Sequence, residues 1–579
     1  VTGTALPTRT DSRRLTGPNR LLPRAGAIID AALADADADR VLAAWRAQAR
    51  RILAAVGWPD EELAVLRFPG GASVAFTAPP DALYSATDVN EWAWDAAVRL
   101  ALDGAEPALE EAEVRLRARI AGERNPALAA LRDAARRRRV AFLADNQLAT
   151  VGEGTGARTY PVAALPDVAA VPWDSVHDVP TVLVTGSNGK TTTVRLLAAI
   201  VRAAGRTAGL TSTDGVQVGG EWLARGDYSG PEGARLALRD GRVETAILET
   251  ARGGILRRGL AVEHADVAVV TNIAEDHFGE FGVHDCASLA DAKLVVARVV
   301  GREGRVVLNA GNRWLVEAAP RVDAPIVWFA SDGANDLVRR HVAAGGEACI
   351  VEDGHFVLQR GATRETVAPV AAVPITFGGR ARHNVENALA AIAGARALGI
   401  HVDAIVRGLL GFAGSAADNP GRANLFELGG VRVVLDFAHN PDGMAALAGV
   451  AEALAGARRL VTLGQAGDRD DDAIRALARA ALAARPDRVI IKELDKYRRG
   501  RPAGEVPALL ADEFRRAGLP PDAVSQAPDD MAALRAALAW ARDGDVLLAT
   551  IHVDQAAALE LLTRLRSQGW RAGDPVSPP

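Results

Sequence analysis

The chain has only two cysteines, Cys286 and Cys349. That is too few for a disulfide framework or a thiolate metal site, and it fits a reducing cytoplasm. Long apolar runs are missing as well. None is long enough to span a bilayer, and no apolar stretch of the kind found in a secretory leader accompanies the Arg13–Arg14 pair, so a cytoplasmic protein without membrane contact is expected. A charge excess of either sign is also lacking. The net charge of −5 gives no reason to expect nucleic-acid binding, although local basic runs can still serve acidic substrates. Tyrosine and methionine are scarce while Ala and Arg abound, which reads as genome composition rather than function. No Ser-His-Asp or Cys-His arrangement is evident, and the C-terminal third lacks a Gly-x-Gly-x-x-Gly fingerprint, so NAD is not expected there.

At 579 residues the chain is too long for one core, and two to four domains are expected. It is organised around Val182–Thr193, an apolar run that breaks into a glycine turn and continues into the helical pattern Val194–Ile200. This reads as a strand, a phosphate loop and a helix. Gly186 and Gly189 let backbone N–H groups approach phosphate oxygens, Lys190 brings a point charge to the outer phosphates, and Thr191 offers a hydroxyl to Mg²⁺. The spacing is Gly-x-x-Gly-Lys-Thr, shorter than the common phosphate loop because Val184 stands where the first Gly would be.

Residues 1–175 read as a smaller α+β domain and linker. A helix is predicted from Ala25 to about Val56, then a hairpin of Ala64–Phe68 and Ala72–Phe76 around Pro69-Gly70-Gly71, then helices over 88–101 and 107–139. The run Arg136–Arg139 reads as a solvated helix end whose cations favour the C-terminal dipole. Pro161, Pro166, Pro172 and Pro180 mark a linker.

Residues 176–419 form the central domain. Short apolar strands, including Thr245–Glu249, Val267–Asn272 and Arg305–Asn309, alternate with helices, which predicts a mostly parallel sheet covered on both faces, with ligands at the carboxyl ends of its strands. Glu249 ends one such strand and is followed by Gly253-Gly254, so its carboxylate is a candidate Mg²⁺ ligand opposite the phosphate loop. His277, after another strand, is a second candidate. Residues 420–579 form a C-terminal domain with strands near 431–436, 459–463, 488–492 and 545–549, a smaller Rossmann-like sheet.

Four segments are similar in order and spacing to the Mur-like module of cyanophycin synthetases and, more broadly, to the Mur ligase superfamily: Gly186–Thr193, Thr211–Gly215, Glu249–Arg257 and Asn272–His277. Leu15–Asn19, Val89–Trp94, Arg139–Leu143 and Leu148–Gly154 look like fragments of the N-terminal part of the same synthetases, but the ATP-grasp domain that follows there is missing before the phosphate loop. The resemblance implies ATP and Mg²⁺ as cofactors. It assigns Thr191, Glu249 and His277 to two Mg²⁺ ions and Lys190 to the transferring phosphoryl group, and identifies Lys293 with the lysine that CO₂ often carbamylates. Asn188, Thr192, Asn384, Asn387, Arg422, Asp436 and Asn440 fall to the nucleotide, with Asp436 at the ribose. From the residues alone, Asn384 also reads as a helix cap and Lys293 as an ordinary helix lysine. The Gly226–Glu232 loop departs from the family pattern at Tyr228 and Glu232, which leaves the acceptor open, and Lys496, Arg498, Arg499 and Arg501 either meet an acidic substrate or form a solvated loop.

The implied reaction activates a carboxylate as an acyl phosphate and couples it to an amino-acid amine. In those synthetases the Mur-like module attaches a basic amino acid to an aspartyl side chain. Expected partners are an acidic peptide or amino-acid carboxylate, an amino acid and a separate ATP-grasp ligase, in a homo-oligomeric protein. A Mur-type ligase with a peptidoglycan- or folate-like substrate, or a non-catalytic ATP-binding subunit, are the alternatives.

Overall fold

The computed structural model describes residues 6–275, 278–454, 456 and 458–576. A four-stranded antiparallel sheet comes first, formed by β1 (Thr8–Leu15), β2 (Gly26–Ala32), β3 (Leu63–Phe68) and β4 (Gly71–Thr77) in the order β1-β2-β4-β3. It is covered by α1 (Asp35–Ala55) and α2 (Leu83–Asp103), around the buried Trp45 and Trp94. The helix predicted from Ala25 is corrected here. Gly26–Ala32 is a strand between two partners, and the helix starts only at Asp35. A short apolar run satisfies either period, and pairing with β1 and β4 decides it. The single helix predicted over 107–139 is likewise two, α3 (Leu109–Glu123) and α4 (Pro126–Arg138). Asn125 caps the second through Leu128 N, with Pro126 at its first position, where a missing N–H costs nothing. Arg138 near its end lies over the Trp173 ring at 4.2 Å.

The expected linker is more ordered than a tether. A three-stranded sheet of β5 (Phe142–Ala144), β6 (Leu148–Val151) and β7 (Arg158–Pro161) ends inside it, and only short 3-10 turns separate β7 from the central domain.

The central sheet has eleven strands. Its middle is parallel: β9 (Ala208–Ser212), β12 (Thr245–Glu249), β8 (Thr181–Thr185), β13 (Ala265–Val270), β14 (Val300–Asn309), β15 (Ile326–Ala330) and β16 (Glu347–Glu352) lie side by side. Antiparallel edges close both sides, β10 (Gly215–Val218) and β11 (Glu221–Arg225) on one, β17 (His355–Arg360) and β18 (Thr363–Pro369) on the other. Every residue of β8 and β12 is buried, as expected of strands with helices on both faces. The C-terminal sheet runs β19-β20-β24-β21-β22-β23, from Asn424–Leu428, Val431–Asp436, Arg459–Leu463, Arg488–Lys492, Val524–Ala527 and Val546–Thr550 in chain order. Only β19 is antiparallel to its neighbour. Among the described residues, no helix is long and apolar enough to cross a membrane.

Candidate active site

The register of the central sheet assembles the site. Strand β8 lies between β12 and β13, with Val184 beside Glu249 and Thr185 beside Val270. The loop after β8 therefore opens between the polar ends of both neighbours, where parallel sheets bind ligands. It leads into α5 (Lys190–Ala203). Gly186 has φ +148° and Gly189 φ +81°; a Cβ on the first would lie 1.9 Å from Thr271 Oγ1 and on the second 2.0 Å from Asn387 Oδ1. Only glycine fits at these two positions.

The β13 end holds this loop in shape. Ser187 N donates to Asn272 O, Asn188 N to Asn272 Oδ1, and Thr271 Oγ1 to Asn188 O at 2.6 Å. Lys190 Nζ folds onto Gly186 O and Ser187 O, both at 3.0 Å. Lys293, the buried last residue of α8 (Cys286–Lys293), donates to the same Gly186 O at 2.8 Å. A helix lysine unremarkable in sequence thus joins the phosphate loop.

Glu249 is 2% exposed. Its Oε2 accepts from Thr191 Oγ1 at 2.8 Å, and Oε1 has no hydrogen-bond partner among the described residues. Burial raises its pKa, opposed by the Lys190 ammonium, the Thr191 hydroxyl and Arg422. A buried carboxylate oxygen without a partner, beside a hydroxyl and a glycine cradle, fits a hard cation that takes few protein oxygens and leaves the rest of its shell to phosphate and water. His277 lies outside the described residues, and no group of three His, Cys, Asp or Glu side chains within them is arranged to hold a metal.

The nucleotide candidates divide. Asn384 and Asn387 are buried near the start of the helix Arg382–Ala397. Asn384 Nδ2 donates to Ile375 O, Asn387 Nδ2 donates to Asn384 Oδ1, and Asn387 Oδ1 abuts Gly189. Asn384 is not the helix cap, which is Ala381 without a side-chain bond. Asn440 does cap its helix through Gly443 N and also donates to Asn188 Oδ1 at 2.9 Å, tying the C-terminal domain to the phosphate loop. Asn419, the last residue of the central domain, donates through Nδ2 to Thr192 Oγ1 at 3.2 Å. Arg422 lies over Phe437 at 4.5 Å and reaches Thr213 Oγ1 at 3.4 Å. Asp436 accepts from Ala423 N and Ala438 N, each at 2.7 Å, so its carboxylate clasps two turns.

A cleft of about 2730 Å³ joins these parts, lined by Lys190, Lys293, Tyr228, Glu232, Arg252, Arg422, His439, Arg499 and His552 among others. Of the basic loop, Arg501 is bound to Gly467 O, Arg469 O, Glu505 and Asp471, and so belongs to the scaffold; Arg499 faces the cleft. Sequence reasoning missed Arg195, buried and paired with Asp214 at 2.7 Å, and the fully buried Lys492–Asp530 pair.

Residues 184–395 match the Mur ligase middle domain, and residues 421–550 match the Mur ligase, glutamate ligase domain. The chain is 40% identical over 332 residues to the cyanophycin synthetase of Trichormus variabilis, a match covering 57% of this chain and 37% of that relative. It is 29% identical over 383 residues to the UDP-N-acetylmuramyl-tripeptide synthetase of Leifsonia xyli, covering 63% and 69%. The chain thus spans well under half the length of the cyanophycin synthetase it matches. Among solved structures, Escherichia coli FolC in complex with ADP aligns with a TM-score of 0.48 at 22% identity, over 67% of this chain and 90% of that one.

Proposed function

This chain belongs to the Mur ligase family through its middle and glutamate ligase domains, and on that premise we propose that it is an ADP-forming ligase joining a carboxylate to an amino-acid amine. The observation that carries this reading is Glu249, whose buried Oε1 has no hydrogen-bond partner among the described residues and stands beside Thr191 and Lys190 at the glycine cradle. A carboxylate is a poor electrophile, and transfer of the γ-phosphoryl group of ATP makes it an acyl phosphate that an amine can attack with release of phosphate. Mg²⁺, held by Thr191 and Glu249 with His277, would neutralise phosphate charge when bound. Lys190 leaves its two carbonyls for the outer phosphates and stabilises charge that develops on them. Gly186 and Gly189 admit the phosphates to the backbone N–H groups, and Asn387 stands against the same turn. Asn440 draws the C-terminal domain onto the loop, Asn419 fixes the junction at Thr192, and closure excludes water from the intermediate. Arg422 serves the phosphates, and Asp436 offers the ribose the lone pairs left over from its two backbone bonds. Lys293, as a carbamate, would become a further oxygen ligand.

The likeness to cyanophycin synthetase supports an aspartyl carboxylate as acceptor and a basic amino acid as amine donor. Only short 3-10 turns lie between β7 and β8, so no second ATP-using domain is inserted there, and a polymer backbone would come from a separate ligase. The test is Mg²⁺-dependent phosphate release from ATP with amino acids paired against aspartyl peptides, with mass spectrometry of each mixture. Release that needs both an acid and an amine, with a product one residue heavier, is expected. Release with a muramyl peptide or folate acceptor instead would move the protein to another pathway, and no release with any pair would leave a nucleotide-binding subunit.

A further inference from the structure

The Leu15–Asn19 motif lies far from the phosphate loop in sequence, yet the fold brings it against the segment that follows Glu249. Thr16 N donates to Arg258 O at 2.6 Å and Leu260 N to Pro18 O at 2.8 Å. The two backbones touch at glycines: a Cβ on Gly17 would lie 2.1 Å from Leu260 O, and one on Gly259 2.5 Å from Gly17 O. Arg13, 8% exposed, caps this junction. Its Nε and Nη2 donate to Leu256 O at 3.2 and 3.1 Å, in the last turn of α7 (Arg252–Arg258). Its Nη1 is held by Asp30 at 2.6 Å and Asp11 at 2.7 Å, and Asp30 is fixed in turn by Ser73 Oγ at 2.5 Å. The guanidinium also lies 4.5 Å over the Phe281 ring.

A second set of contacts reaches the loop that leads into α8 and Lys293. Arg20 Nη1 donates to Gly282 O at 2.9 Å, and Phe68 packs on His284 with ring centroids 5.2 Å apart and fills the space a side chain at Gly282 would need. Arg298 returns the contact by donating to Asn19 O and Arg20 O, each at 2.8 Å. A free-standing domain does not need glycine-to-glycine backbone contact or a buried arginine spent on a foreign helix carbonyl.

We propose that the N-terminal domain is a brace for the active site, with Arg13 the positioning residue that sets α7, with Gly253 and Gly254 in its first turn, on the wall of the cleft. Arg13 acts on the side of the Gly226–Glu232 loop, since Ala251 N at the start of α7 donates to Ser229 O at 2.8 Å and Arg13 touches, among the described residues, only Leu256, Asp11, Asp30 and Phe281. The phosphate loop is held by Thr271, Asn272 and Lys293, none of which Arg13 touches, and the β12 end that carries Glu249 by Thr250 N donating to Val184 O. The effect on turnover rests on the ligase reading; the mechanical coupling does not.

The test is amide hydrogen exchange on the full chain with Arg13→Met, Arg13→Lys and Gly17→Ala, alongside initial rates of ADP formation with an aspartyl peptide and a basic amino acid together. In Arg13→Met, peptides covering 250–260 should exchange about tenfold faster while those covering 186–197 stay at the wild-type rate. Arg13→Lys should recover part of this, and Gly17→Ala should open the same segment through the backbone. The KM for the peptide should rise about tenfold with the ATP KM within about twofold. Equal loosening of both segments would reduce Arg13 to general stability and overturn the proposal, as would unchanged exchange over 250–260. If the wild-type chain forms no ADP with this pair, the aspartyl-acceptor reading fails and the exchange pattern alone decides the brace.

Discussion

The central and C-terminal sheets both bring polar residues to the carboxyl ends of parallel strands, yet they use those residues differently. At the central edge, Glu249 Oε1 has no hydrogen-bond partner among the described residues, and Lys190 rests on two loop carbonyls. At the C-terminal edge, the charged groups are spent inward, while His552 Nδ1 has no hydrogen-bond partner among the described residues. Asp436 clasps two backbone N–H groups. Lys492, fully buried, is paired with Asp530 at 2.5 Å and with Thr550 O, and Asp530 Oδ2 also accepts from His552 N, Val553 N and Asp554 N. Topology alone marks both edges as ligand sites. An unspent buried carboxylate oxygen separates the edge that faces the phosphates from one whose charged groups first hold its own loops.

The sharpest way to break this contrast is at its two lysines. Lys190→Met should cut phosphate release by about 10³-fold, since it removes charge aimed at the transferring group, while the urea unfolding midpoint stays in place. Lys492→Met should do the reverse, lowering stability by about 3–5 kcal/mol because Asp530 is left as a buried charge without its cation; denaturant titration followed by tryptophan fluorescence reads it. Loss of turnover without loss of stability at Lys492, or the opposite at Lys190, would erase the distinction. The two carboxylates repeat the test on a smaller scale. Glu249→Gln should reduce turnover about 10²-fold with stability held, whereas Asp436→Asn should cost about 1–3 kcal/mol, because an amide can accept from only one of the two N–H groups and turns a donor on the other.

Much of the central edge was legible in the chain itself. The apolar run into Gly-x-x-Gly-Lys-Thr fixes a strand, a turn and a helix by local rules, and Glu249 follows a strand of the same kind. Pairing was not legible. Gly26–Ala32 reads as part of a helix until β1 and β4 are seen beside it, and Asn384 reads as a cap until the helix is found to start before it. Lys492 was hidden because it looks ordinary within its own element, and Lys293, equally ordinary by its residues, was singled out only by the resemblance. Rarity was the available signal: of 67 basic residues only four are lysines, at 190, 293, 492 and 496. Lys293 and Lys492 are both buried, and a compact ammonium is not interchangeable with a planar guanidinium. The docking of Leu15–Asn19 on α7 joins segments more than two hundred residues apart, and no local pattern encodes such a contact.

His552 gives the finest measure of how closed the C-terminal edge is. It is 9% exposed, its Nε2 lies 3.0 Å from Ala438 O, and its ring meets Phe437 edge-on at 5.4 Å. Burial is the main cause that lowers its pKa to about 3; Lys492 and His439 add to it, and Asp530 and the Ala438 carbonyl oppose it. The unfolded chain protonates this imidazole near its ordinary value of 6.5, whereas the folded chain refuses the proton until about 3. Between those values the unfolded state binds more protons, so the contribution of His552 is fully present above 6.5 and is lost as the pH falls, at about 1.4 kcal/mol per pH unit. His552→Gln keeps a donor for Ala438 O and removes the titration. The difference in unfolding free energy between wild type and variant should be flat above pH 7 and should fall with the full slope below about 6. A difference that stays flat down to pH 5 would mean that water reaches the ring, and the C-terminal edge would then be as open to a ligand as the edge that carries Glu249.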